Sequence, residues 1–175
     1  DVQERFGTDA LRMGLLVNNA PGNDMNLDVD KVNAYKKFAN KLWNITRFVL
    51  DNTSDYPADS VHTPADQAFE DEFLHPAVAE ITALMERDRF DLAAEKLYQF
   101  VWDHFASTVL EESKPLLAGS PAERASRQRL LNHYLITSLK LLHPFMPFVT
   151  ETIWQELSKE MRDQDILMVA KWPSS

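Results

Sequence analysis

The sequence predicts an all-α fold, an antiparallel helix bundle ending in either a short C-terminal strand or an extended segment. Three observations predict it. Apolar residues recur every three or four positions along several long segments, the period that gathers them on one helix face. Those segments are bounded by capping residues and prolines. The connections between them are short, which favours antiparallel neighbours. With 175 residues and 45% hydrophobic content, the chain is the size of one domain with a small appendage.

The elements follow in order. Thr8 to Val17 is apolar and predicts a short helix to about residue 18. The cluster Ala20-Pro21-Gly22-Asn23-Asp24 predicts a loop to about Asp28. From Val29 to Leu50, Tyr35, Phe38, Leu42, Ile45 and Val49 form one helical face, with Asp28 as N-cap. Asp51-Asn52 and Pro57 end that helix, and the polar stretch to His62 is a surface loop. Thr63-Pro64 reads as a cap followed by proline at the first helical position. Phe69, Phe73, Val78, Ile81, Leu84 and Met85 carry the period to about Arg87, with an interruption at Pro76. Asp88 to Asp91 is a tight connection, and Asp91 caps the next helix. There Ala93, Leu97, Phe100 or Val101, His104 and Phe105 share a face, ending near Lys114-Pro115. Ser120-Pro121 repeats the cap-plus-proline signal, and Glu123 completes a capping box. Leu131, Tyr134, Leu135, Ser138 and Leu142 make the buried stripe of that helix. His143-Pro144-Phe145-Met146-Pro147 is a sharp corner, with Phe145, Met146 and Phe148 filling space between the last two helices. The final helix runs from Pro147 to about Met161. Ile166 to Ala170 is β-prone and reads as a short strand or extended segment. The chain thus divides into a leading helix and loop (1–28), a helical bundle (29–161) and an extended tail (162–175).

Several function classes are excluded. No cysteine is present, so neither a disulfide nor a thiolate metal site can form, which suits a reducing compartment. No apolar run approaches 18 residues, so no membrane span and no membrane partner are expected. The first residues do not read as a secretory signal, and a start at Asp1 suits a fragment or processed chain. The histidines (His62, His75, His104, His133, His143) lack metal-ligand spacing. Asp103 and His104 are adjacent and diverge by about 100° on a helix, so His104 reads as a packed structural residue. His143 reads as a partner for the helix C-terminal dipole. The four glycines form no phosphate loop, and acidic pairs such as Asp71-Glu72 and Glu111-Glu112 read as solvated faces. No catalytic centre, metal or cofactor is expected in this chain.

Charge supplies the functional signal. The formal net charge is −9, yet Lys31 to Leu50 contains five cations (Lys31, Lys36, Lys37, Lys41, Arg47) and no acid. At about 100° per residue, Asn33, Lys37, Asn40, Lys41, Asn44 and Phe48 fall opposite the apolar stripe. Lysines there meet phosphates, asparagine amides meet base edges, and Phe48 either stacks on an unpaired base or packs beneath a neighbouring helix. Cations, amides and an aromatic on one face suit single-stranded RNA.

The motifs Phe6-Gly7-Thr8-Asp9-Ala10-Leu11-Arg12, Ala20-Pro21-Gly22-Asn23-Asp24, Asn40-Lys41-Leu42-Trp43-Asn44 and His143-Pro144-Phe145-Met146-Pro147 together resemble those of the class I aminoacyl-tRNA synthetases, and within them the valyl-tRNA synthetases. Phe6-Gly7-Thr8-Asp9-Ala10-Leu11-Arg12 is similar to the segment after their lysine-methionine-serine-lysine-serine loop. Ala20-Pro21-Gly22-Asn23-Asp24-Met25-Asn26-Leu27 resembles the glycine-asparagine-aspartate loop that follows. Asn40-Lys41-Leu42-Trp43-Asn44 with Arg47-Phe48-Val49-Leu50 resembles the anticodon helix of the valine enzymes. Phe90-Asp91, Leu97-Tyr98, Phe100-Val101-Trp102-Asp103 and the run Leu142 to Glu151, with Trp154, complete the likeness in order. The chain departs from the family at Ala106-Ser107-Thr108-Val109.

The resemblance implies a helical bundle that grips the anticodon stem-loop of a valine tRNA. It implies a catalytic domain elsewhere in the same polypeptide, where ATP drives attachment of valine, so ATP belongs to the parent enzyme. It implies a cytoplasmic protein. Lys41, Asn44 and Phe48 map onto positions that face the anticodon, and Lys37, Asn40, Lys31 and Arg47 complete the candidate RNA-binding set. The equivalent domain of an isoleucyl- or leucyl-tRNA synthetase is one alternative. A helical protein-interaction module without RNA binding is the other.

Overall fold

The computed structural model describes residues 2–17, 19, 22, 27–57 and 59–174. Two short helices open the chain, α1 (Val2–Phe6) and α2 (Thr8–Leu16), hinged at Gly7. Gly7 has φ +91°, a conformation glycine adopts without a Cβ penalty. Most of the expected loop between residues 18 and 26 lies outside the described residues. α3 (Val29–Thr53) begins where Asp28 accepts the Asp30 amide at 2.9 Å. It runs past Asp51-Asn52, because Thr53 is buried and bonds Asn132 on a facing helix at 3.0 Å.

The next helical run is α4 (Pro64–Phe69), a π turn (Glu70–Leu74) and α5 (His75–Glu86). Thr63 caps it, with proline at the start, as the sequence predicts. Pro76 does not interrupt the run. The preceding turn widens, with the His75 N–H bonding the Glu70 carbonyl, and this relieves the clash a proline ring makes with the turn before it. Asp88 ends α5 at φ 57°. Its N–H bonds Met85 O and that of Arg89 bonds Leu84 O, a Schellman closure.

α6 (Phe90–Gln99), a π segment (Phe100–Val109) and α7 (Leu110–Leu117) form the third run. Asp91 is not its cap. It lies in the first turn and grips Arg89 at 3.0 and 2.8 Å, and that bond holds its carboxyl below the usual range. α8 (Pro121–Leu142) opens with the expected capping box of Ser120 and Glu123. α9 (Pro147–Glu156) is shorter than expected, and a 3₁₀ turn at Lys159–Met161 follows it.

The four long runs alternate in direction. Thr53 faces Asn132 and Asp55 faces Arg124, so α3 and α8 are antiparallel. Phe73 meets His104 and Glu80 meets Lys96, so α5 and α6 are antiparallel too. α8 lies at the centre. Leu130, Leu131, Tyr134, Leu135, Leu139, Leu141 and Leu142 are all buried, so apolar contacts surround the helix and are not confined to one stripe.

A buried polar seam joins α4 to α8. Arg127 pairs with Asp66 at 2.5 Å, and Ser126 donates to Asp66 at 2.6 Å. Glu70 lies between His62 (3.3 Å) and His133 (2.9 Å). His104 is structural, as expected. It packs among Phe69, Phe73, Phe100 and Tyr134, with Nε2 3.2 Å from the Tyr134 hydroxyl.

α2 clasps the corner before α9. Arg12 donates to the carbonyls of Phe145 (3.1 Å) and Pro144 (2.8 Å). Asp9 accepts the amides of Phe148 (3.2 Å) and Val149 (2.6 Å), the free donors of a helix start. Gly14 permits the close approach of α2 to α3, since a Cβ there would lie 2.8 Å from Val32. Phe145 and Met146 fill the corner as expected, but Phe148 is 61% exposed. Its side chain points away from the core, while its amide is held by Asp9. His143 is the C-cap of α8, at the helix end where the sequence places it. Burial pushes its pKa down, and its ring reaches Thr150 at 2.8 Å.

Of the two readings of Ile166 to Ala170, the strand does not form, and Ile166 and Ala170 are extended on either side of a turn. Leu167–Val169 is one 3₁₀ turn, and no strand exists among the described residues to pair with it. Only Leu167 is buried, its amide bonded to Glu151 at 3.0 Å. Ile166, Met168 and Phe148 line an open groove of about 780 Å³ beside α9. No helix among the described residues is long and apolar enough to cross a membrane.

Candidate nucleic-acid interface

α3 has two unlike faces. Val32, Tyr35, Phe38, Leu42, Ile45 and Val49 are buried against α2, α8 and the π segment. That packing fixes the roll of the helix and turns the opposite arc outward. Lys37, Asn40, Asn44 and Arg47 are exposed on that arc, and none of their side chains has a hydrogen-bond partner among the described residues. Lys41 is half-buried, with its ammonium 5.6 Å from the centre of the Trp102 ring. Phe48 is half-buried at the edge of the same arc, packed against the core margin.

Lys31 does not join this group. Its ammonium bonds the Val17 carbonyl near the start of the helix. Lys36 is also engaged, bonding the Arg5 carbonyl at 3.0 Å and lying 5.9 Å from the Phe6 ring centre. Three cations therefore remain available together: Lys37, Lys41 and Arg47.

None of these three has a carboxylate within 4.0 Å among the described residues. Elsewhere Lys96 pairs with Glu80, Lys114 with Glu111, Arg124 with Asp55 and Lys140 with Asp163, while scattered cations such as Arg87, Lys159 and Lys171 also have no carboxylate within 4.0 Å among the described residues. Unpaired cations beside free amides are what a phosphate backbone and base edges require. No group of three metal-ligating side chains occurs among the described residues.

One part of this surface was not found from the sequence. Tyr98 and Trp102 come from the neighbouring run and flank α3. Their rings stack at 5.8 Å and 15°, and Phe38 packs on both at 5.0 and 6.3 Å. Burial, with the nearby Tyr98 and Glu95, pushes the Tyr35 hydroxyl up to about 12. The signal was an aromatic pair four residues apart, one position off the Leu97–Val101 stripe. That offset directs both rings to α3.

The fold is a helical bundle with one cationic, amide-bearing face on α3. A family model described as the anticodon-binding domain of tRNA ligase matches residues 71–175, more than half of the chain. The chain belongs to that family. Among its relatives, valine–tRNA ligase of Thermotoga maritima is 42% identical over 176 residues, and that of Petrotoga mobilis is 40% identical over 177. Each alignment covers 99% of this chain and 20% of the relative, so the chain spans about one fifth of their length. A solved LeuRS–tRNA–LeuAMS ternary complex from Agrobacterium radiobacter shares the fold, with TM-score 0.67 and 22% identity, covering 99% of this chain and 20% of that one.

Proposed function

We propose that this chain binds the anticodon stem-loop of a valine tRNA through the outward face of α3. In this reading it is one module of a longer valine–tRNA ligase of the cytoplasm. Attachment of valine, driven by ATP, takes place on a catalytic domain of the same polypeptide. The observation that carries the proposal is the cluster Lys37, Lys41 and Arg47, free of carboxylates and interleaved with Asn40, Asn44 and Phe48. The valine–tRNA ligase relatives support the choice of tRNA.

The lysines and the arginine meet phosphate and fix the register. Asn40 and Asn44 have free amides to meet base edges. Phe48, half-buried at the helix edge, receives an unpaired base. Lys31 serves the fold in the free protein and is a secondary member of the set.

The test is tRNA binding by filter retention at several salt concentrations. Each phosphate neutralised on a single strand contributes a log–log slope of about −0.7, so three cations give roughly −2. A slope near zero, or no binding at low salt, rejects this face as the interface and favours a protein-interaction module.

A further inference from the structure

We propose that Trp102 is a base-stacking residue of this face, covered by Lys41 in the free protein and uncovered when RNA docks. The inference rests on the RNA-binding reading and adds to it a second aromatic surface, contributed by a different helical run.

Trp102 is half-buried. Its ring is fixed from within by Tyr98, stacked at 5.8 Å and 15°, and by Phe38 at 6.3 Å and 39°. It is therefore a rigid plate set in advance, which lowers the ordering cost of binding. What lies over it is the ammonium of Lys41 at 5.6 Å, on a long and flexible side chain. A lysine over a partly exposed ring is weakly held, and a stacked nucleobase gains more from the same surface.

The indole N–H is also uncommitted. Trp154 donates to Gln164 O at 3.0 Å and Trp172 to Thr82 Oγ1 at 2.8 Å. Trp102 donates to no acceptor among the described residues, so its N–H is free for a base or ribose oxygen.

Position completes the case. Lys41 and Phe48 lie on the same edge of α3, seven residues apart, which is about 10 Å along the axis at 1.5 Å per residue. Trp102 sits at the Lys41 level. Two flat surfaces, Trp102 and Phe48, thus bracket Asn44. A single strand laid along this edge would place one base on each ring and present an intervening base to the Asn44 amide. The displaced Lys41 ammonium would then meet the adjoining phosphate.

The experiment titrates valine tRNA into the 175-residue chain and into its W102L and W102F variants. It follows Kd, intrinsic tryptophan fluorescence and thermal denaturation. Leucine keeps apolar volume but removes the ring, so W102L should weaken binding roughly 5- to 150-fold. W102F should recover most of that affinity while losing most of the tRNA-induced fluorescence change. A folded W102L that binds like the parent overturns the proposal. So does a W102F protein that keeps the parent's full fluorescence change, and this second readout decides the matter if W102L fails to fold. Failure of the parent chain to bind tRNA would overturn the underlying reading and this proposal together. Loss confined to the Trp102 variants bears on this proposal alone.

Discussion

The outward face of α3 and the seam between α4 and α8 use charged residues in opposite ways. In the seam, Arg127 and Asp66 are both buried, and Ser126 completes the shell of Asp66. On α3, Lys37 and Arg47 are exposed and face no carboxylate among the described residues. A buried cation must be matched within the fold, because an unpaired charge there is costly. An exposed cation costs the fold little and keeps its charge for an external anion. The net charge of −9 is a sum over the whole chain and does not describe the α3 face, where Lys37, Lys41 and Arg47 have no carboxylate within 4.0 Å among the described residues.

The largest expected effects lie in the buried half of the comparison. Arg127→Ala leaves Asp66 buried without its cation and should cost about 3–5 kcal/mol by chemical denaturation. Phe145→Ala opens a cavity at the corner and should cost about 3–5 kcal/mol as well. If either cost falls below about 1 kcal/mol, that region is not the structural half of the molecule. By contrast, Arg47→Gln should change stability by less than about 0.5 kcal/mol, as surface substitutions usually do.

The next effects separate base contacts from phosphate contacts on α3. Phe48→Ala and Asn44→Ala should weaken valine tRNA more than a non-cognate tRNA. For Phe48 the loss should be about 1–3 kcal/mol, or roughly 5- to 150-fold. Lys41→Ala should weaken both tRNAs by similar factors, because phosphate contacts are blind to sequence. Thermal denaturation must accompany these assays, since Phe48 is half-buried. A folded Phe48→Ala protein with unchanged preference would remove Phe48 from the interface.

The smallest effect is on pH. Burial lowers the pKa of His62, His104 and His143 from the model-compound value of 6.5. A folded pKa below the unfolded one means that the unfolded chain binds more protons in that window. The stability these residues contribute is complete above about pH 6.5 and declines as the pH falls through their folded values. The melting temperature should therefore drop between pH 7 and pH 5, and His104→Phe should reduce the drop. A melting temperature that rises on acidification would show that other groups dominate.

Much of the fold was legible. The caps at Asp28, Thr63 and Ser120 form where local chemistry placed them. These signals are readable because a cap depends on the first turn alone. Asp91 misled for the same reason in reverse. It has the chemistry of a cap, but a guanidinium two residues earlier claims its carboxylate. The structure added Arg47 to the outward arc of α3, where the placement of Lys37, Asn40 and Asn44 was legible from periodicity. That Lys31 and Lys36 bond backbone carbonyls of the leading helices was not, because nothing local encodes a partner 14 or 31 residues away.

By itself, then, the sequence determined where helices start, which arc of α3 is apolar and which is cationic, and that residues 143–147 turn sharply. These follow from period, capping and proline geometry, all short-range properties. Only the tertiary structure decided that α8 is enclosed on several sides, that Phe148 faces outward, and that Ile166 to Ala170 has no strand to pair with. It also decided that Trp102 joins Lys41 at the edge of α3. Each of those depends on which distant segment packs alongside, and side-chain period gives a face its polarity without naming its neighbour.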